Sequence, residues 1–364
     1  MSIVRVALGE RSYDVVIEAG ALSHLAAHPP GSEIAILSNE TVGPLYADSL
    51  AQAWREGGAK VLWCIAPDGE SAKNLEWTAR AYDLLAAGGL TRRGTIVAVG
   101  GGVVGDWAGF VAATWMRGVD FVQVPTTLLA MVDSSVGGKT GVNHPRAKNL
   151  IGAFHQPKHV VIDTDCLATL PARELRAGLS EVVKYGVIAD AKFFNWLETN
   201  IENALRLEAE ALLTIVARCV EIKAEIVGDD ERESDASGRR ATLNYGHTVG
   251  HAIEATTEYG AFLHGEAIAI GMTVAARLAI ATGTIARAEG EELGRRQSAL
   301  FERLKLPTRV PPECTFERLW AAMALDKKSR GAQINFLLPS RLGAVEWTRG
   351  VNENLVREAI EASR

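Results

Sequence analysis

The sequence predicts an α/β fold in two domains, a parallel-sheet domain over residues 1–170 followed by a mainly α-helical domain over residues 171–364. Three observations carry this reading. Up to about residue 170, short β-rich runs alternate with helical stretches. One of those runs ends in a glycine-rich turn of the kind that leads a strand into a helix. From Pro171 onward, helical periodicity with Ala, Glu and Leu predominating takes over, as in Phe193 to Ala217. At 364 residues the chain can bury a large core. It has no internal repeat and no low-complexity linker, so a tight junction is expected near Leu170–Pro171, with the active site between the halves.

Met1 to Glu10 alternates like a strand and lacks the basic region, apolar stretch and cleavage site of a signal peptide. Glu33–Ser38, Val61–Ile65, Thr95–Val99, Phe121–Val124 and Val160–Asp163 are apolar runs between helical stretches, the pattern of parallel strands covered on both faces. Ala267 to Ala281 is interrupted by Arg277 and too short to cross a bilayer, so a buried helix and no membrane partner are expected. A net charge of −6 without a basic arm argues against nucleic acid. Cys64, Cys166, Cys219 and Cys314 stand far apart with no C-x-x-C, which fits reduced thiols in a cytoplasmic enzyme better than a disulfide framework.

Thr95–Val99 runs into Gly100-Gly101-Gly102-Val103-Val104-Gly105-Asp106, which satisfies G-x-G-x-x-G between a strand and a helix. Glycines let a backbone approach a pyrophosphate, and the helix N-terminus supplies amide donors. The usual acidic partner would fall near Asp120, which opens the next strand instead of ending one, so this is not the ordinary dinucleotide fingerprint. Ribose contacts are expected instead from Asn39 or from Asp68-Gly-Glu70-Ser-Ala-Lys73. Pro125-Thr126-Thr127 through Asp133 to Gly138-Lys139-Thr140 contains Gly-Lys-Thr, but the earlier P-loop glycine would fall at Asp133, which disfavours a nucleoside triphosphatase. Lys139, followed by Lys148-Asn149, still suits an anion.

Chemistry concentrates late in the chain, in Asn244-Tyr-Gly-His247-Thr-Val-Gly-His251-Ala-Ile-Glu254 and His264-Gly-Glu266, which hold three of the eight histidines. Such a cluster suggests a divalent cation, proton transfer, or both. A pair four apart shares a helix face and can be packed without function, but three close together need several partners. H-E-x-x-H is absent, so peptide hydrolysis is unsupported. Glu181 and Lys184 stand three apart, the spacing of a helical ion pair. With Lys223, Arg240 and Asn244, the motif-borne cations imply an anionic substrate despite the acidic chain.

These motifs, together with Met116-Arg117-Gly118, Lys148 to His155 and Glu181 to Lys184, resemble the 3-dehydroquinate synthase family over most of the chain. The resemblance implies a Rossmann-like domain followed by a helical metal-binding domain, usually dimeric. It also implies conversion of 3-deoxy-D-arabino-heptulosonate 7-phosphate to 3-dehydroquinate and phosphate, with catalytic NAD⁺ and a divalent metal, zinc or cobalt. It makes Glu181, His247 and His264 the metal ligands and His251 a proton-transfer residue, replacing a pairing of His247 with His251. It places Asp68, Glu70, Lys73, Gly101, Gly102, Asp106, Thr126, Thr127 and Thr169 around NAD, with Lys139 and Lys148 near both cofactor and substrate; Asn39 and Val103 are expected to contact the cofactor as well. Asp133, Asn149, Lys184, Lys223, Arg240 and Asn244 are left to hold substrate, and Arg117 to reach the phosphate in a neighbouring subunit, with Lys327 or Lys328 contributing. The chain departs from the family in Trp115, where a smaller aromatic is expected, and in one extra residue between His251 and His264. Rival readings are a cyclase acting on sedoheptulose 7-phosphate or glucose 6-phosphate, and a metal-dependent polyol or glycerol-phosphate dehydrogenase.

Overall fold

The computed structural model describes residues 1–233, 238–257, 260–328 and 334–364, with only the backbone for 326–328. The expectation for Lys327 or Lys328 therefore lies outside the described side chains. The chain forms two compact units, one of residues 1–170 with 212–232 and the other of residues 171–211 with 233–364.

In the first unit the strands are β1 (Ser2–Val6), β2 (Tyr13–Glu18), β3 (Glu33–Asn39), β4 (Lys60–Ala66), β5 (Thr95–Gly100), β6 (Asp120–Pro125), β7 (Lys139–His144), β8 (Ala147–Phe154) and β9 (His159–Asp163). The helices are α1 (Ala21–Ala27), α2 (Asp48–Glu56), α3 (Leu75–Ala87) and α4 (Gly102–Thr114). A seven-stranded sheet runs β1-β2-β9-β6-β5-β3-β4. Only the β1–β2 pairing is antiparallel; the others are parallel. Its central strands are buried on both faces, as their unbroken apolar runs require. Along β3, Ile34 and Ile36 pack with Leu50, Ala51 and Trp54 of α2, whereas Ala35 and Leu37 pack with Trp107, Ala108 and Val111 of α4. Each large side chain so buried contributes roughly 1.5–3 kcal/mol before entropy is counted.

The second unit contains α5 (Ala172–Ile188), α6 (Ala191–Leu205), α8 (His247–Thr256), α9 (His264–Ala281), α10 (Arg287–Arg303), α11 (Phe316–Lys328) and α12 (Glu353–Glu361), preceded in chain order at α8 by α7 (Ala209–Asp229). It is mainly helical, with one antiparallel hairpin, β10 (Phe336–Arg341) and β11 (Ala344–Thr348). No helix among the described residues is long and apolar enough to cross a membrane. All four cysteines are free and buried, and burial pushes the Cys64 thiol up to about 11 and that of Cys166 to about 12.

Phe193 to Ala217 is helical, as its periodicity predicts, in two helices, because Leu207 adopts a φ of 58° between α6 and α7. Two differences from the sequence reading stand out. Most of α7, from Leu212 on, together with the residues that follow it up to Arg232, groups with the first unit and not with the second, to which its sequence position assigns it. Side chains near its C-terminal end find partners there: Lys223 pairs with Asp133, and Glu231 just beyond the helix pairs with Arg11. Finally, residues 139–154 form an antiparallel hairpin, β7 with β8, where no strands were expected.

Candidate active site

In the second unit, α5, α8 and α9 converge on one carboxylate. Glu181 is fully buried on α5, while His247 opens α8 and His264 opens α9. The close approach of the last two helices depends on Gly271, where a Cβ would meet the Gly246 carbonyl oxygen at 2.0 Å and the Gly250 nitrogen at 2.9 Å. Consequently Glu181 Oε1 lies 3.8 Å from His247 Nε2 and 3.6 Å from His264 Nε2. His251, one turn along α8 and more exposed, completes a group in which one nitrogen from each of the three imidazoles lies within 4.8 Å of the others. Glu181 Oε2 forms an ion pair with the buried Lys184. Oε1 has no hydrogen-bond donor, although it is buried.

The ring tautomers follow from the partners. His247 Nδ1 faces the Tyr245 carbonyl at 3.0 Å, and His264 Nδ1 faces Glu254 Oε2 at 3.2 Å. Neither oxygen can donate, so each Nδ1 carries a hydrogen and, in the neutral ring, each Nε2 presents a lone pair towards Glu181. Burial, reinforced by the charge of Lys184, holds the His247 pKa well below its ordinary value. Burial also opposes charge on His264, but the hydrogen bond to Glu254 and the charges of Glu254 and Glu181 outweigh it, so its pKa is raised. Two imidazole lone pairs and an undonated carboxylate oxygen facing one another are a donor set for a divalent cation, and the residues present fit zinc or cobalt. Lys184, Arg240 and the 3₁₀ turn Arg239–Asn244 belong to the same unit, with Arg240 3% exposed.

In the first unit, β5 passes through Gly101 into α4, whose N-terminus has no side-chain cap. Its first-turn amides remain available to an anion. A Cβ on Gly102 would stand 2.9 Å from Ser134 Oγ, so the turn is shaped for backbone and not for a side chain at that point. Thr126, one strand over at the end of β6, leaves a buried hydroxyl without a hydrogen-bond partner, while Thr127 accepts from the Ala130 amide at 3.2 Å. Asn39 donates to Asp68 at 2.7 Å across the ends of β3 and β4. Lys73, 4% exposed, donates to Asp106 and Asn149, each at 2.5 Å. Burial raises the Asp106 carboxyl pKa against the pull of Lys73. Glu70 accepts from Asn143 at 2.7 Å, and Thr169 shares a hydrogen bond of 2.5 Å with Tyr46. These polar ends, hydroxyls and helix amides fit a dinucleotide.

The remaining candidates spread over the first unit. Lys139 starts β7 and is exposed, Lys148 is half-buried on β8, and Val103 lies in the first turn of α4. Asn149 adopts a φ of 55°, which asparagine tolerates better than most residues. Met116, Arg117 and Gly118 have φ values of 49°, 69° and 117°. Arg117 is exposed on this strained turn, a conformation found more often at functional sites than elsewhere.

The profiles for the N-terminal and C-terminal parts of 3-dehydroquinate synthase match residues 63–177 and 178–329. The chain belongs to the 3-dehydroquinate synthase family. Curated relatives named 3-dehydroquinate synthase include one from Halorhodospira halophila, 53% identical over 98% of both chains, and one from Vibrio atlanticus, 44% identical over 100% of this chain and 99% of that one. Among solved structures, a 2-epi-5-epi-valiolone synthase from Streptomyces hygroscopicus with NAD⁺ and Zn²⁺ bound superposes with a TM-score of 0.88 at 31% identity, each chain 98% covered. A 2-deoxy-scyllo-inosose synthase complexed with carbaglucose-6-phosphate, NAD⁺ and Co²⁺ gives the same TM-score at 26% identity, covering 100% of both chains. The fold of this 3-dehydroquinate synthase family member is thus shared with other sugar-phosphate cyclases.

Sequence reasoning left three residues of these clusters without a role. Asn143, which bridges Glu70 and the Asn149 amide, lies on the unrecognised strand β7. Tyr46 lies outside every motif. Glu254 stands inside the histidine segment, but its partner His264 belongs to another helix, so spacing along the chain could not pair them.

Proposed function

We propose that the chain converts 3-deoxy-D-arabino-heptulosonate 7-phosphate to 3-dehydroquinate and phosphate, as an NAD- and divalent-metal-dependent carbon–oxygen lyase of the shikimate pathway. The observation that carries the metal-dependent reading is the buried, undonated Oε1 of Glu181 facing Nε2 of two histidines. Glu181, His247 and His264 would hold the cation, and Gly101, Gly102, Val103, Asp106, Thr126, Thr127, Thr169, Asn39, Asp68, Glu70 and Lys73 the cofactor. When bound, the cation supplies Lewis acidity at a substrate hydroxyl, and NAD⁺ takes up a hydride that it later returns.

The chain's own side chains orient and neutralise the substrate. Arg240 and Asn244, with Lys148 and Asn149, hold the carboxylate; Lys139, Lys184, Lys223 and Asp133 hold hydroxyls and phosphate. His251 moves a proton at the substrate hydroxyl whose carbon is transiently oxidised. The resulting ketone acidifies the neighbouring C–H, so the C–O bond to phosphate breaks by β-elimination with the departing phosphate taking the proton. Cations around that phosphate stabilise the charge it carries away. After the ketone is reduced back, ring opening and aldol closure form the carbocycle. Arg117 completes the phosphate site of a second subunit in a homodimer, and the enzyme works in the cytoplasm.

The second reading is another sugar-phosphate cyclase, since the two solved neighbours described above bear such names. The relatives named 3-dehydroquinate synthase are closer in sequence, at 44% to 53% identity against 31% and 26%. The deciding assay supplies the heptulosonate phosphate with trace NAD⁺ and follows phosphate and NADH together. Phosphate rising over many turnovers without NADH is expected. NADH accumulating in step with substrate consumed would indicate a dehydrogenase instead.

A further inference from the structure

The two histidines that flank Glu181 Oε1 are held from behind by unlike partners. His247 gives its Nδ1 hydrogen to a backbone carbonyl, whereas His264 gives its own to the carboxylate of Glu254. Glu254 lies in the C-terminal half of α8 and is 8% exposed. Because Nδ1 and Nε2 point to opposite sides of an imidazole, Glu254 sits behind the ring, away from Glu181. Glu266, two residues beyond His264, is committed elsewhere: it receives two bonds of 2.7 Å from Arg173 and one of 2.8 Å from the Leu263 amide, which anchor the start of α9.

We propose that Glu254 is a positioning residue for the metal centre, fixing the His264 tautomer that turns Nε2 towards Glu181 and strengthening that imidazole as a donor through its negative charge. Partners of this kind fix ligand orientation and basicity, and losing one typically weakens metal binding 10- to 100-fold. The proposal rests on the reading of Glu181, His247 and His264 as ligands. It predicts that the two imidazoles are unequal, with His264 the more basic donor.

The test is competition for Zn²⁺ against a colorimetric chelator, using full-length wild-type protein, Glu254→Gln, Glu254→Ala and His264→Ala. The glutamine variant keeps an acceptor for Nδ1–H and loses only the charge, so it should bind zinc roughly 10-fold more weakly, and the alanine variant up to about 100-fold more weakly. The glutamine variant is nearly isosteric and carries the test should the alanine variant misfold. Its metal-free melting temperature should match the wild type, which a merely structural role for the charge would not allow. Wild-type zinc affinity in Glu254→Gln and Glu254→Ala, with affinity lost in His264→Ala, would overturn the proposal alone. Undiminished affinity in His264→Ala would overturn the ligand assignment beneath it.

Discussion

Each unit gathers buried ionisable groups, but the two clusters settle their charge differently. In the first, protein anions and acceptors answer the buried cations: Lys73 lies between Asp106 and Asn149, and Lys223 is paired with Asp133. In the second, Lys184 answers one oxygen of Glu181 and leaves the other facing the lone pairs of two imidazoles. Acceptors turned towards one another in a buried place are costly, and a cation among them removes the cost. In the first cluster the charges are thus answered within the protein before any ligand arrives, whereas in the second, on the proposed reading, a metal ion would answer the charge that the protein leaves open.

That contrast can be broken at several points. The largest effect is expected from His247→Ala, which should abolish stoichiometric zinc and turnover while leaving NAD binding and the circular dichroism spectrum unchanged, because only the second cluster is damaged. Full zinc occupancy by elemental analysis would count against it. Next, Arg240→Ala should weaken the heptulosonate phosphate by about 2–5 kcal/mol, the scale for truncating one partner of a buried charged contact. Its effect on NAD should be far smaller, and equal losses in calorimetric titrations would refute a carboxylate role. A third variant, Gly271→Ala, puts a methyl against the backbone of Gly246 and Gly250. It should destabilise the second unit by about 1–3 kcal/mol in denaturant titration and loosen the histidine geometry with it; unchanged stability and zinc affinity would show that α8 and α9 approach for another reason.

The smallest expected effect lies at the edge of the first unit. The hydrogen bonds and charge of Arg11 hold Glu231 below the ordinary glutamate value of 4.5. A depressed carboxylate adds stability that is present above its unfolded pKa and lost as pH falls through the folded one. The gap between wild type and Arg11→Ala should therefore be visible near neutral pH and close below about 4.5. A gap that persists in acid would assign it to packing of the arginine stem.

Much of this was legible in the chain. The parallel strands showed because strands buried on both faces must be apolar throughout, as β3 and β5 are. The β7–β8 hairpin did not show, because β8 is exposed or half-buried at every residue and carries no apolar alternation. The return of α7 to the first unit was equally hidden: its apolar face announces a buried helix but not which body buries it. The histidine cluster was visible as a cluster, whereas the partners behind its rings were not. Both ring partners depend on how α8 and α9 pack, which no spacing within one segment encodes.

The most direct test of a metal centre built on Glu181 is the zinc content of wild-type protein and Glu181→Gln after equilibration with Zn²⁺ and dialysis into metal-free buffer. One zinc per wild-type chain and almost none in a variant of unchanged melting temperature is the predicted result. Equal zinc in both proteins, or none in either, would contradict it.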